Sequence, residues 1–288
     1  MRVLVTGAAG QLGHDVLATC ARAGDEVVAT DTADLDVGDR DAVLGAITTL
    51  RPDAVLHLAA WTAVDACEAD PERAFRVNAL GSRWVAEGCA RTGAHLVHIS
   101  TDYVFDGTKP TPYHEWDVAN PLSVYGASKW AGECEVRALV PLATVARISW
   151  VCGEHGSNMV KTVLRLAADP DRRLAFVDDQ IGHPTFTADL APLLRRLAVG
   201  RVPGVFHCTN QGPVSWFGFV QAVLAAAGHD PGRVVPISTA ELTPPRPAVR
   251  PANSVLDNAA LRAAGIPLLR DFRAPLAELV DRLGAGSS

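Results

Sequence analysis

Along its first 150 residues the chain alternates short runs of Val, Leu and Ala with longer stretches in which apolar residues recur at helical spacing. Short apolar runs bounded by turn formers read as strands, and the longer periodic stretches as helices. The pattern predicts strands over residues 2–5, 26–29, 54–58, 95–100 and 143–148, with helices over 11–22, 41–50, 71–92 and 124–138 between them. Right-handed crossovers lay such helices on both faces of a parallel sheet. The expected fold is therefore α/β, a doubly wound parallel sheet of the Rossmann type over residues 1–150.

Beyond Trp150 the rhythm changes. Helices are predicted over 158–168 and 187–199, short strands over 174–177 and 204–208, and Ser215 can cap a further helix, with Val214 and Phe219 placed as a hydrophobic staple. Residues 243–251 hold four prolines and two arginines and read as a loop. The 288 residues fit a prior of roughly 100–200 per domain for two domains. The second, residues 151–288, is expected to be a smaller mixed α/β substrate domain, with the strands near 174–177 and 204–208 rejoining the first sheet.

Composition narrows the function classes. An apolar share of 48% with 20% charged residues is that of a packed globular protein, not a disordered one. The net charge of −6, with no run of Lys or Arg, argues against nucleic acid as a partner. Thr6 and Gly7 interrupt the first apolar stretch before a signal-peptide core can form, and no stretch reaches the length of a membrane span. The six cysteines show no C-x-x-C pair, so they read as reduced thiols and not as a zinc site or disulfide framework. A cytoplasmic protein without membrane contact is expected.

Two motifs carry chemistry. Gly7, Gly10 and Gly13 form a G-x-x-G-x-x-G turn between the first strand and first helix, where backbone can approach a pyrophosphate that the helix N-terminus attracts. Asp31, just after the second strand, is placed to accept hydrogen bonds from adenosine ribose hydroxyls and to repel a 2′-phosphate. The nearest arginines in sequence, Arg22 and Arg40, are not adjacent to it, which favours NADH over NADPH.

Tyr125 and Lys129 are four apart at the start of a predicted helix and share one face. The chain has only three lysines and three tyrosines, which makes this spacing a rarer coincidence than usual. A positive charge about 4 Å from a phenol, at an effective dielectric of about 20, contributes about 4 kcal/mol. That is enough to pull a phenol from about 10 toward neutrality, so the pair suits proton transfer to a carbonyl.

With these motifs the chain resembles the extended short-chain dehydrogenase/reductases, and within them the dTDP-4-dehydrorhamnose reductase family. Further segments carry the resemblance: Ala60-Trp61-Thr62-Ala63-Val64-Asp65, Ser100-Thr101-Asp102-Tyr103-Val104-Phe105, Arg147-Ile148-Ser149-Trp150-Val151, Asp179-Gln180-Ile181-Gly182-His183-Pro184-Thr185 and Arg250-Pro251-Ala252-Asn253-Ser254. The resemblance implies reduction, by NADH or NADPH, of the C4 ketone of a dTDP-linked 4-keto-6-deoxyhexose. The substrate it points to is dTDP-4-dehydrorhamnose, converted to dTDP-rhamnose. It makes Thr101 the hydroxyl that polarises the ketone, Tyr125 the proton donor, and Lys129 the residue that tunes Tyr125 and holds the nicotinamide ribose. Gln11, Leu12, Gly13, Asp31, Asp36, Ala60, Trp61 and Thr62 would line the cofactor. Asp102, Tyr103 and Trp150 would touch the sugar, and Arg250 the diphosphate.

The sequence departs from the family at His57-Leu58-Ala59-Ala60-Trp61-Thr62, where Asn-Ala-Ala-Ala-His-Thr is frequent, which reshapes the wall beside the nicotinamide. Some relatives bridge a homodimer through Mg²⁺ on glutamates. Asp15 stands at the position near the glycine loop, so the sequence does not support the metal. Two alternatives remain open here: a related nucleotide-ketosugar reductase for another deoxysugar, and a non-catalytic nucleotide-binding regulatory subunit. Retention of Thr101, Tyr125 and Lys129 argues against the second.

Overall fold

The computed structural model describes residues 1–169 and 171–285. Its first half runs β1 (Arg2–Thr6), α1 (Gln11–Arg22), β2 (Glu26–Thr30), α2 (Arg40–Leu50), β3 (Ala54–His57), α3 (Val64–Ala69), α4 (Pro71–Phe75), α5 (Gly81–Thr92), β4 (His95–Thr101), α6 (Val124–Leu139) and β5 (Thr144–Ile148). The second half continues with β6 (Val151–Cys152), α7 (Met159–Ala167), β7 (Leu174–Val177), β8 (Ile181–Gly182), β9 (Thr185–Phe186), α8 (Thr187–Val199) and β10 (Gly204–His207). It ends with β11 (Val214–Ser215), α9 (Trp216–Ala226), β12 (Val234–Ile237), α10 (Ala259–Ala263) and α11 (Arg273–Ala285).

Six strands form one parallel sheet in the order β2-β1-β3-β4-β5-β10. Alternate side chains explain why both faces are covered. Val3, Val5, Leu56, Val97, Ile99 and Ala146 point to one face, where α1 and α8 supply Leu12, Val16, Leu190, Leu194 and Leu197. Leu4, Val55, Leu96 and Val145 point to the other, against Val43 and Ile47 of α2, Val85 of α5 and Val136 of α6. The chain winds outward in opposite senses from β1 and β3, and the crevice at such a switch point is where open α/β sheets bind ligands.

Two expectations are corrected. The strand at 174–177 does not rejoin the central sheet; β7 pairs in parallel with β12 instead. Leu174 belongs to a separate core with Val160, Val163, Phe219, Val223, Phe272 and Leu276. β10 does stand beside β5, because the apolar face of α8 lies on the sheet and delivers the next strand to its edge. The helix expected over 71–92 is also interrupted, by a π-helical turn at Arg76–Leu80 between α4 and α5. There the buried Asn78 accepts from the Trp61 N–H at 2.8 Å and donates to the Trp61 carbonyl and to Ser128. Such turns gather at functional sites.

Five of the six thiols are buried, all six are free, and among the described residues no helix is long and apolar enough to cross a membrane.

Candidate active site

A cleft of about 810 Å³ opens at the carboxyl edge of the sheet. Its first wall is the turn after β1. Gly7 has φ +70°, and a Cβ on it would lie 2.7 Å from the Ala59 nitrogen; one on Gly13 would lie 2.2 Å from the Ala8 carbonyl oxygen. Glycine at these points lets the turn close against the sheet and leaves a cradle for backbone-bound phosphate. Gly10 caps α1 with extended backbone and no side-chain hydrogen bond, so the first N–H groups of the helix remain for an anion. The chain thus fits a dinucleotide here.

Asp31 stands at the end of β2, where its carboxylate accepts from the backbone of Ala9 at 2.9 Å and Thr32 at 2.7 Å. Asp36 accepts from the Gly38 N–H and pairs with Arg76 at 3.1 Å, and these two partners hold its carboxyl below the usual range. Arg73, whose guanidinium lies 4.5 Å from the Trp61 ring centroid, lines the same cleft as Asp31, Asp36 and Arg76. The sequence view that Arg22 and Arg40 are the nearest arginines misses these two, because α4 and the π-helical turn carry them back across the fold.

The middle of the cleft holds the side chains of Thr101, Tyr125 and Lys129. Ser123 caps α6 by accepting from the Gly126 N–H at 3.1 Å, which sets Tyr125 and Lys129 one turn apart on the inner face. A Cβ on Gly126 would meet the Tyr103 carbonyl oxygen at 2.2 Å, so glycine lets this helix end seat against the segment after β4. Lys129 is 2% exposed and its ammonium donates to the Ile99 carbonyl at 2.6 Å. Burial lowers its pKa to about 8, against the opposing charge of Glu133.

Glu133 is itself fixed. It pairs with Arg147 at 2.8 Å and accepts from Ser100 at 2.5 Å, all three groups buried. Burial raises the Tyr125 phenol above its ordinary value, partly opposed by hydrogen bonding to Thr101. Desolvation is the largest influence on the phenol, so the expected pull toward neutrality does not occur and Tyr125 rests protonated.

Thr101 ends β4, donates to Asp102 at 3.0 Å and accepts from the Tyr103 N–H at 3.2 Å. Asp102 is fully enclosed and also accepts from Ser149 at 2.8 Å; burial raises its carboxyl despite these bonds.

The far wall is aromatic. Trp150 has φ 43°, a conformation rare for a bulky residue, and stacks on Trp216 with centroids 3.6 Å apart and planes at 11°. A Cβ on Gly182 would come 2.8 Å from the Trp150 ring, so glycine in the Asp179–Thr185 motif makes room for it.

The structure brings Gly7, Gly10, Gln11, Leu12, Gly13, Asp31, Asp36, Ala60, Trp61, Thr62, Thr101, Asp102, Tyr103, Tyr125, Lys129 and Trp150 to this one cleft. Arg250 is not on its lining; its guanidinium is taken by Asp65 at 2.6 and 2.7 Å. Sequence reasoning missed Arg73, Arg76, Trp216 and the Gly156–Ser157 edge, where Asn158 donates to Gln11 at 3.0 Å. Among the described residues no group of three or more His, Cys, Asp or Glu is arranged to hold a metal ion.

A doubly wound sheet with a glycine turn at one end of the cleft and Thr101, Tyr125 and Lys129 at its centre defines an oxidoreductase of the short-chain dehydrogenase/reductase class. Residues 1–285 match the model of the RmlD substrate binding domain, and the chain belongs to that family. A dTDP-4-dehydrorhamnose reductase of Streptomyces griseus is 43% identical over 283 residues, covering 96% of this chain and 92% of the relative. The crystal structure of a dTDP-4-dehydrorhamnose reductase from Clostridium acetobutylicum matches with TM-score 0.95 and 39% identity, over 99% of this chain and 100% of that one. That of the Bacillus anthracis enzyme in complex with NADP matches with TM-score 0.91 and 35% identity, over 99% of both chains.

Proposed function

We propose that the chain reduces the C4 ketone of a dTDP-linked 4-keto-6-deoxyhexose, taking dTDP-4-dehydrorhamnose to dTDP-rhamnose. The observation that carries this reading is the convergence of Thr101, Tyr125 and Lys129 between a glycine cradle and a tryptophan wall in one cleft. When bound, the reduced nicotinamide supplies the hydride that adds at C4. Thr101, whose single hydroxyl proton rests on Asp102, turns that proton to the carbonyl oxygen and polarises it. Tyr125 donates its phenolic proton to that oxygen as the C–O π bond breaks. Lys129 keeps a positive charge behind Tyr125 and supports the phenolate left by the transfer; Glu133 sustains that charge.

Asp31 and Asp36 favour the free ribose hydroxyls of NADH. Arg73 and Arg76 bring positive charge to the same end of the cleft, so NADPH is accepted as the second cofactor. Asp102, Tyr103 and the Trp150–Trp216 stack hold the sugar, whose apolar face suits an indole.

The test compares kcat/KM for the dTDP-linked 4-keto-6-deoxy sugar with that for the free 4-ketosugar. Binding energy from the nucleotide orients the ketone, so its removal should cost at least about tenfold, in kcat as well as KM. Equal efficiency on the two substrates would overturn the reading.

A further inference from the structure

Asp65 and Arg250 lie 185 positions apart, in two segments to which the hydride and proton steps assign nothing. Asp65 is near the start of α3, and Arg250 closes the proline-rich loop 243–251, which contains no helix or strand. The Asp65 carboxylate accepts from both terminal nitrogens of Arg250, at 2.6 and 2.7 Å, and from the Ala248 N–H at 3.2 Å. Arg250 also donates to the Ala248 carbonyl at 2.7 Å, and Arg246 approaches the same carboxylate at 3.6 Å. One carboxylate thus gathers three groups of a loop that is otherwise mostly exposed. Ala248 and Pro251 are its two buried residues.

The Arg250 side chain is only 14% exposed, and its pairing with Asp65 is bidentate, the geometry in which a guanidinium is held most rigidly. Burial pushes the Tyr103 phenol up, and the charge of Arg250 reaches it and works against that push. The Tyr103 ring stands edge-on to Tyr125, with centroids 5.5 Å apart and planes at 76°. A path therefore leads from Asp65 to Arg250 by a bidentate ion pair, from Arg250 to Tyr103 by charge, and from Tyr103 to Tyr125 by ring contact.

We propose that Asp65 and Arg250 form a clasp that docks loop 243–251 onto the nucleotide-binding half and, through Tyr103, positions Tyr125 against the substrate ketone. Neither is a catalytic residue; both act through Tyr103. The proposal rests on the ketone-reduction reading for its kinetic consequence, but not for its structural one. It also competes with a direct diphosphate contact by Arg250, because Asp65 and the Ala248 carbonyl already take three of the five guanidinium N–H groups and a phosphate would have to share the charge with a half-buried carboxylate.

The two roles give opposite mutational patterns. Asp65→Ala, Arg250→Ala and the double variant are compared with wild type in kcat and KM for the dTDP-linked ketosugar, in NADH affinity by fluorescence titration, and in hydrogen–deuterium exchange of residues 243–251. For a clasp, either single variant lowers kcat by about ten- to a hundredfold, the scale of a small misplacement of a reacting group. The double variant then loses no more than the worse single one, because the partners act as a unit. NADH affinity is retained, exchange in the loop rises in all three, and Asp65→Glu recovers part of the lost kcat. Losses that multiply in the double variant overturn the clasp. So does an Asp65→Ala enzyme with unchanged kcat and improved ketosugar KM beside an Arg250→Ala enzyme with raised KM, the signature of a diphosphate-binding arginine. Exchange needs no substrate: unchanged protection of 243–251 in Asp65→Ala refutes the clasp even if wild type fails to turn over the ketosugar, a failure that would count against the proposed reduction alone.

Discussion

At the glycine end of the cleft the wall is the backbone of one continuous turn, whereas at the end proposed for the sugar it is built from side chains that arrive from separate segments. Gly7, Gly10 and Gly13 lie within seven residues and act by what they lack, leaving room for close approach. Thr101 from β4, Tyr125 and Lys129 from α6, Trp150 after β5 and Trp216 from α9 act by where the fold delivers them. The first kind of site tolerates change elsewhere in the chain. The second depends on the packing of nearly every layer, including the buried Glu133–Arg147 pair beneath Lys129.

The largest expected effect that tests this separation is Tyr125→Phe. It deletes the proposed proton donor without touching the glycine turn, so kcat should fall by about 10²–10⁴ while NADH affinity is unchanged. Steady-state kinetics with cofactor titration measures both. A matching loss of NADH affinity would show that the two ends are not separable, and near-normal turnover would remove Tyr125 from the mechanism.

A smaller effect should appear in the pH profile. Burial lowers the Lys129 pKa, so its charge is lost as pH rises through about 8, where an exposed lysine would stay charged. Tyr125 is shifted upward and stays protonated over the same range. The reductive kcat should therefore decline on the alkaline side from near pH 8, by about tenfold per unit at the limit. Glu133→Gln, which removes the charge that opposes the lowering, should move that limb to lower pH. A limb that stays in place in this variant would assign the titration to another group.

The smallest change is expected at the nucleotide end. Arg76 is partly exposed and already paired with Asp36, so its contribution to a 2′-phosphate is worth about 1 kcal/mol or less. Arg76→Ala should lower kcat/KM for NADPH by at most about fivefold and leave NADH unaffected. An equal loss with both cofactors would mean that Arg76 serves Asp36 and the loop at Gly38 and does not select the cofactor.

Much of the nucleotide end was legible in the chain because its determinants are short-range. Strand–helix alternation, a glycine turn between β1 and α1 and an acid at the end of β2 are properties of neighbouring residues, and they bring the fold class with them. The four-residue spacing of Tyr125 and Lys129 is equally local, since helix geometry alone places them on one face. Other features depend on partners far away in sequence. Whether a short apolar strand joins the main sheet was decided by its neighbours: α8 carries β10 to the sheet edge, while β7 finds β12 beside a separate core. Arg73 and Arg76 reach Asp36 and Trp61 only because helices fold back over the switch point, and Arg250 meets Asp65 across 185 positions. The direction of the Tyr125 shift was likewise a tertiary outcome. Spacing can bring a charge near a phenol, but only the completed packing decides how much water is removed from both, and here desolvation is the larger effect.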